Sequence, residues 1–166
     1  MTLVQRLQLG DVTAHGKDTP SVNKKMTVSG LPITIEAPRG SIRKLHDDKG
    51  NVVYKQHMMH HYGFFGNTKG RDGDEVDVFV GPMANAREVF IVHMKDMGSV
   101  PAEREDEDKC FIGFQSADAA KTAFTLHYPD TFYGGMTCLP VAVFKKKMKQ
   151  ASLPNHKRKI TAVEVA

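Results

Sequence analysis

The sequence predicts an α+β fold that is mainly β, in which a small closed or nearly closed β-barrel carries two packed helices. Three observations lead to this prediction. Five or six short strand patterns follow one another, two helical patterns come after them, and a length of 166 residues fits one domain with a buried core. Each short strand has to bury a face, and closing the sheet on itself achieves this while removing its open edges.

The strand patterns consist of alternating apolar residues bounded by turn residues. In Leu31–Glu36, Ile33 and Ile35 share the inward face and Glu36 lies on the other. Residues 47–51 have the composition of a hairpin turn that leads into the next strand. Further strands are predicted at 52–55, 61–65, 76–80, 88–94 and 109–114.

Two helices are predicted after the strands. Ser116 is a good N-cap for a helix that runs from Ala117 to about Tyr128, where Pro129 stops it. Ala120, Phe124 and either His127 or Tyr128 form the apolar face of this helix. A second helix is predicted from the spacing of three apolar residues, with the lysines on its outer side; they are Val141, Phe144 and Met148.

The chain is expected to divide into three parts. Residues 10–23 are polar and contain Gly and Pro, so residues 1–28 are predicted to form an N-terminal arm. The barrel domain is predicted at residues 29–150, followed by a basic C-terminal tail at 151–166.

The composition indicates a cytoplasmic protein. Charged residues make up 25% and hydrophobic residues 40% of the chain, and no apolar run approaches the roughly 20 residues that span a bilayer. The apolar stretch in Met1–Leu7 is too short for a secretory signal. Two cysteines in a domain of this size, Cys110 and Cys138, are expected to be buried free thiols.

The formal charge is +4, and the C-terminal end is strongly basic. Lys145–Lys147, Lys149 and His156–Lys159 would suit a nucleic acid or another phosphate-bearing ligand. We favour the simpler interpretation, a solvated helix face and a frayed tail, and do not expect nucleic-acid binding.

The segment Gly70–Val80 carries the strongest functional signal. Asp72, Asp74 and Asp77 lie within six residues and lead directly into a run of β-forming residues. An Asp-Gly turn could bend the backbone and bring Asp77 towards the other two carboxylates. Hard divalent cations such as Mg²⁺ take oxygen ligands of this kind together with substrate phosphate. The alternative is a hairpin turn whose acids are solvated.

Other residues could complete a phosphate site around these acids. Glu36 could reach a metal, and Arg39 and Arg43 follow it as planar donors for phosphate. Lys109 follows the acidic run 103–108, and Tyr62 and Tyr128 can donate phenolic hydrogen bonds. Each is also compatible with an ordinary surface or core position.

Three histidines at offsets of three and four, His57, His60 and His61, could ligate zinc if they lay on a helix. No cysteine or glutamate at a metalloprotease offset accompanies them, so we expect them to pack or to line a pocket wall instead.

Taken together, these motifs resemble the family I soluble inorganic pyrophosphatases, in particular the compact variety often encoded by phages and mobile elements. The resemblance covers about residues 30 to 148, and its motifs occur in the family's order with similar spacing. They are Ile33–Pro38, Tyr62–Phe65, Asp72–Val78, Lys109 at the start of a strand, and His127–Tyr128.

The resemblance implies a barrel of the oligonucleotide/oligosaccharide-binding (OB) kind and Mg²⁺-dependent hydrolysis of inorganic pyrophosphate. It implies two or more Mg²⁺ ions per site, with Mn²⁺ as a substitute, and a homo-oligomer is common among bacterial relatives. The implied metal ligands are Asp72, Asp77 and one of Asp106 or Glu107, and Asp74 would orient or deprotonate the attacking water. The implied substrate-binding residues are Glu36, Arg43, Lys55, Tyr62, Lys109 and Tyr128.

Three positions depart from the family pattern. Glu107 stands where the family usually has Asp, Pro129 stands where well-known members carry a phosphate-binding Lys, and Lys55 is only the nearest candidate for a family arginine. Two alternatives therefore stay open: a phosphate-binding module without turnover, and a nucleic-acid-binding barrel.

Overall fold

The structure is a computed structural model that describes residues 12–13, 23–47, 49–66, 75–95 and 105–151. Among these residues, nine strands precede the first of two helices, the segregation expected for an α+β fold. The strands are β1 (Val12–Thr13), β2 (Lys24–Val28), β3 (Leu31–Ala37), β4 (Ile42–Asp47), β5 (Val52–His57), β6 (His61–Phe65), β7 (Asp77–Val80), β8 (Glu88–Lys95), β9 (Glu105–Ile112) and β10 (Tyr133–Pro140). The helices are α1 (Ala117–His127) and α2 (Val141–Ala151). Within the described part of the chain, neither helix combines the length and apolar character needed to cross a membrane.

The strands form two sheets. The larger sheet has seven strands in the order β10-β8-β9-β7-β6-β3-β2, and the smaller has the order β1-β4-β5. Neighbouring strands are antiparallel except β7 and β9, which are parallel. A parallel pair needs a crossover, and β8 supplies it here by pairing with β9 on the far side from β7.

Both faces of the larger sheet are covered, because its strands carry apolar residues on both sides. On one face, Val78 and Ile112 belong to a cluster that includes Phe144 of α2. On the other face, Phe79 and Phe111 belong to a cluster that includes Phe124 of α1. Alternation along the strands sends neighbouring side chains to opposite faces, so one run of apolar residues fills both cores.

The predicted helices are confirmed. Ser116 Oγ accepts a hydrogen bond from the Ala119 amide at 3.1 Å and caps α1. Ala120, Phe124 and His127 are buried on the inner face of α1. In α2, the three residues of the predicted apolar face are buried; they are Val141, Phe144 and Met148.

The predicted mainly β architecture is confirmed, whereas a closed barrel is not found. Among the described residues, β10 and β2 stand at the two ends of the larger sheet, with no ladder between them. Four strands lie where the sequence predicted none: β1, β2, β4 and β10. The boundary predicted after residue 28 therefore falls inside the β2–β3 hairpin, and residues 152–166 of the predicted tail lie outside the described residues.

One of the two cysteines is buried and the other is exposed. Cys110 is a buried free thiol, as predicted, and burial raises its pKa well above the usual value. The same prediction is wrong for Cys138, which is an exposed free thiol on β10. Alternation along β10 explains the difference, because the adjacent Leu139 takes the buried position.

Candidate active site

The parallel pairing of β7 and β9 brings Asp77 and Lys109 together. Val78 pairs with Cys110, so the residue before each of them projects from the same face of the sheet. Lys109 Nζ donates to Asp77 Oδ2 at 2.7 Å, and the Lys109 side chain is fully buried. Two groups separated by 32 residues in the chain thus form a buried ion pair.

Tyr62 joins this pair from β6. It pairs with Phe79, which lies two residues after Asp77 and therefore on the same face. The Tyr62 hydroxyl oxygen accepts a hydrogen bond from Lys109 Nζ at 3.2 Å. The rings of Tyr62 and Phe79 lie 4.8 Å apart, and Phe79 stacks on Phe111 at 4.9 Å, so an apolar floor supports the polar groups.

The smaller sheet covers this floor and adds Arg43 and Gln56, which pair across β4 and β5. Arg43 Nη2 donates to the Tyr62 hydroxyl at 3.4 Å, and Arg43 Nη1 donates to Gln56 Oε1 at 3.2 Å. The guanidinium carbon lies 4.2 Å from the centre of the Tyr62 ring, a cation–π contact.

Tyr128 reaches the same place from the C-terminal end of α1. Its hydroxyl oxygen accepts from Arg43 Nη1 at 3.4 Å, and its ring packs against Phe124 at 5.1 Å. We call the six side chains assembled here the Asp77 cluster; they are Arg43, Gln56, Tyr62, Asp77, Lys109 and Tyr128.

The start of β9 is held in place by a second polar network. His93 Nδ1 lies 2.9 Å from Asp108 Oδ1, and His93 Nε2 lies 2.9 Å from Thr137 Oγ1. These hydrogen bonds link β9, β8 and β10 one residue before Lys109. They fix the strand from which Lys109 projects.

The electrostatics of the Asp77 cluster favour a bound anion. Burial alone would raise the pKa of Asp77, but Lys109, Arg43 and a hydrogen bond from Tyr62 outweigh it, so the net pKa is lowered. Burial also raises the pKa of Tyr62 well above its usual value, which keeps the phenol neutral. For Arg43, burial would lower the pKa, yet Tyr62, Tyr128 and Asp77 raise it overall. Two cations therefore face one carboxylate, and the cluster has a net positive charge.

The predicted site residues fall into three groups. Arg43, Tyr62, Asp77, Lys109 and Tyr128 come together as described. Of four further residues, Asp72 and Asp74 lie outside the described residues, and only the backbone of Asp106 and Glu107, on β9, is described.

The third group, Glu36 and Lys55, lies on strands next to cluster positions. Glu36 is half-buried on β3, one residue before Ala37, which pairs with Tyr62. Lys55 is exposed on β5, and strand alternation places its neighbour Gln56 in the cluster instead. The structure does not bring Lys55 to the other predicted substrate-binding residues.

The donor chemistry of the Asp77 cluster fits a hard divalent cation only in part. Asp77 is a carboxylate, the kind of oxygen ligand that Mg²⁺ prefers, and the cationic groups beside it suit a phosphate group. Within the described segments, however, no group of three or more His, Cys, Asp or Glu side chains is arranged to hold a metal ion. Asp77 could supply one ligand of such an ion.

Two of the three histidines of the predicted zinc alternative, His60 and His61, have packing and hydrogen-bonding roles. The ring of His60 lies edge-on to Phe114 at 5.0 Å, and His61 Nδ1 accepts from the Arg39 amide at 2.9 Å. Burial, followed by nearby positive charge from Arg39, lowers the pKa of His60.

Sequence reasoning missed Gln56 and understated His127. Gln56 is 1% exposed, and its Nε2 donates to the His127 carbonyl oxygen at 2.7 Å. The predicted strand 52–55 ended before Gln56, so the sequence analysis did not identify the Gln56 side chain as pointing inward. Extending the alternation of that strand by two residues would have revealed it.

Comparisons with known proteins identify the family of the chain. A family model described as Inorganic Pyrophosphatase matches residues 16–149, well over half of the chain. A comparison with curated proteins found no match.

Solved structures resemble the chain more distantly. An inorganic pyrophosphatase from Neisseria gonorrhoeae is 20% identical, with 75% of this chain and 90% of that chain covered and a TM-score of 0.44. One from Coxiella burnetii is 15% identical, with coverages of 81% and 96% and a TM-score of 0.38. The family model carries the assignment: the chain belongs to the inorganic pyrophosphatase family and is an inorganic diphosphatase.

Proposed function

We propose that the protein hydrolyses inorganic pyrophosphate to two phosphates in a Mg²⁺-dependent reaction at the Asp77 cluster. The observation that carries the proposal is the buried arrangement of Asp77, Lys109 and Arg43 around Tyr62, with the 2.7 Å ion pair at its centre. Pyrophosphate is highly anionic at neutral pH, so an attack on it requires neutralisation of its charge before anything else.

The metal ligands in this proposal are Asp72 and Asp77, together with Asp106 or Glu107. When bound, Mg²⁺ supplies positive charge to the phosphate oxygens and orients the reacting groups. Mn²⁺ has the same preference for oxygen ligands and would substitute for it. The low pKa of Asp77 supports this role, because the carboxylate is ionised and ready to bind a cation at neutral pH.

The other proposed roles belong to the protein's own groups. Asp74 orients or deprotonates the attacking water, and Glu36 acts at the edge between metal and phosphate. Arg43 and Lys109 bind the phosphate oxygens, and their burial strengthens these contacts because surrounding water does not screen them. Tyr62 and Tyr128 hold Arg43 in place and contact the substrate.

A phosphate-release assay with wild type and Asp77→Asn tests the proposal. We expect the rate with magnesium pyrophosphate to fall at least about a hundredfold in the variant, a loss of roughly 3 kcal/mol of transition-state stabilisation. Asp118→Asn is the matched control, because Asp118 is an exposed acid in the first turn of α1. It should retain the wild-type rate.

The outcomes separate the candidates. Wild type that releases no phosphate above the rate of Asp77→Asn would refute the proposal. Metal-dependent binding of pyrophosphate without release would indicate the phosphate-binding module instead.

The proposal includes finer features that the sequence predicts. We propose that the larger sheet curls into a nearly closed, OB-like barrel. Ser29 in the β2–β3 turn supports this, because its hydroxyl donates to the carbonyl oxygen of Ala86 at 2.9 Å, beyond β7 in the chain. A cytoplasmic location, a phage-like origin, a homo-oligomer and the division into arm, domain and tail stay predictions.

A further inference from the structure

Gln56 makes two hydrogen bonds that connect a helix end to the guanidinium of Arg43. Its Oε1 accepts from Arg43 Nη1 at 3.2 Å, and its Nε2 donates to the carbonyl oxygen of His127 at 2.7 Å. The side chain is 1% exposed. Burying an amide is unfavourable unless its donor and its acceptor both find partners, and here both do.

The His127 end of this connection is rigid. His127 is the last residue of α1, where carbonyl groups lack partners within the helix, and Gln56 satisfies one of them. The His127 ring is also fixed, because its Nδ1 lies 2.7 Å from the Ala123 carbonyl oxygen and its Nε2 accepts from the Met59 amide at 3.0 Å. Gln56 therefore holds Arg43 against a fixed point of the fold.

The Arg43 end is constrained in its plane. Nη1 is shared between Gln56 and Tyr128, and Nη2 reaches Tyr62. Because the guanidinium is planar, contacts on both terminal nitrogens set its orientation as well as its position. A phosphate group meets two parallel N–H donors only if this plane is correctly turned.

We propose that Gln56 is a positioning residue that orients Arg43 towards a phosphate group of the substrate. This inference rests on the proposed function of the Asp77 cluster. The amide is suited to the task because it bonds to Arg43 without adding charge. A carboxylate in the same place would neutralise the guanidinium and weaken its attraction for an anionic diphosphate.

The test is a kinetic comparison of Gln56→Met, Arg43→Met and the double variant with magnesium pyrophosphate. Methionine has nearly the shape of glutamine but makes neither hydrogen bond. We expect Gln56→Met to raise KM about tenfold with kcat within about threefold of wild type, because Arg43 contacts phosphate throughout the reaction. The double variant should be no worse than Arg43→Met alone, because Gln56 acts only through Arg43.

Several outcomes would overturn the inference. An unchanged KM in Gln56→Met would do so, as would a double variant whose loss is the sum of the two single losses. Gln115→Met, an exposed glutamine changed in the same way, should match wild type. If Gln56→Met does not fold, Gln56→Glu keeps the side-chain volume, and a KM equal to that of wild type would count against the inference. Wild type that does not hydrolyse pyrophosphate would defeat the proposed function, and the inference with it.

Discussion

Replacing Lys109 by methionine should destabilise the protein more at neutral pH than in mild acid. Lys109 is fully buried, and its amine lies 2.7 Å from Asp77 Oδ2 and 3.2 Å from the Tyr62 hydroxyl. Removing one partner of a buried ion pair leaves an uncompensated charge and costs about 3–5 kcal/mol. We expect Lys109→Met to lower the free energy of unfolding by about this amount near neutral pH.

The pH dependence follows from the groups around Asp77. In wild type the folded-state pKa of Asp77 lies below its ordinary value, so the ion pair stabilises the protein above that value and is lost as pH falls through the folded-state pKa. Without Lys109, burial is opposed only by Arg43 and Tyr62, and the pKa of Asp77 moves up. In the variant, the unpaired Asp77 carboxylate is then neutralised by taking up a proton in mild acid, whereas in wild type it stays ionised. The stability difference should shrink between about pH 7 and about pH 5.

Urea unfolding in the presence of a metal chelator measures both effects. The double variant Lys109→Met with Asp77→Asn removes the unpaired charge, and we expect it to be more stable at neutral pH than Lys109→Met alone. The reasoning is wrong if the loss in Lys109→Met is the same at both pH values. It is also wrong if the double variant is no more stable than the single one.

Two further predictions concern the framework of the site. The buried His127 has a pKa lowered to about 4 from an ordinary 6.5, first by burial, so the unfolded chain binds more protons between these values. The free energy of unfolding should therefore fall by about 3 kcal/mol as the pH is lowered from 6.5 to 4. The variant His127→Gln should show a smaller fall in urea titrations at several pH values. At Gly63 on β6, an added Cβ would collide with the Thr34 carbonyl oxygen. The variant Gly63→Ala should therefore lower the melting temperature by several degrees. The control Gly66→Ala should not, because there is open space around Gly66. Equal melting temperatures for the two glycine variants would contradict the close packing of β3 on β6.

The helices could be predicted because their signals are local. Ser116 as an N-cap and the spacing of Val141, Phe144 and Met148 need only a few neighbouring residues to be interpreted. Strand β10 has no such signal, because Gly134 and Gly135 interrupt its pattern and its partner β8 lies about 45 residues earlier in the chain. Pairing over that distance is decided by the packed fold rather than by local preference.

The candidate site was predicted in part for the same reason. Asp77, Lys109 and Tyr62 stand in motifs whose order and spacing are informative in the sequence alone. Gln56 has no motif, and its role depends on the direction in which β5 turns it and on the end of α1, 71 residues later. The local residue pattern alone did not distinguish Arg39 from Arg43, whereas the structure exposes Arg39 and buries Arg43 on β4.

A crystal structure of the protein with Mg²⁺ and phosphate tests the central claim most directly. We predict phosphate oxygens within about 3.2 Å of Arg43 and Lys109 nitrogens, and a metal ion bound by Asp77. Phosphate and metal bound elsewhere, with the Lys109–Asp77 pair and Arg43 left as they are here, would contradict the account.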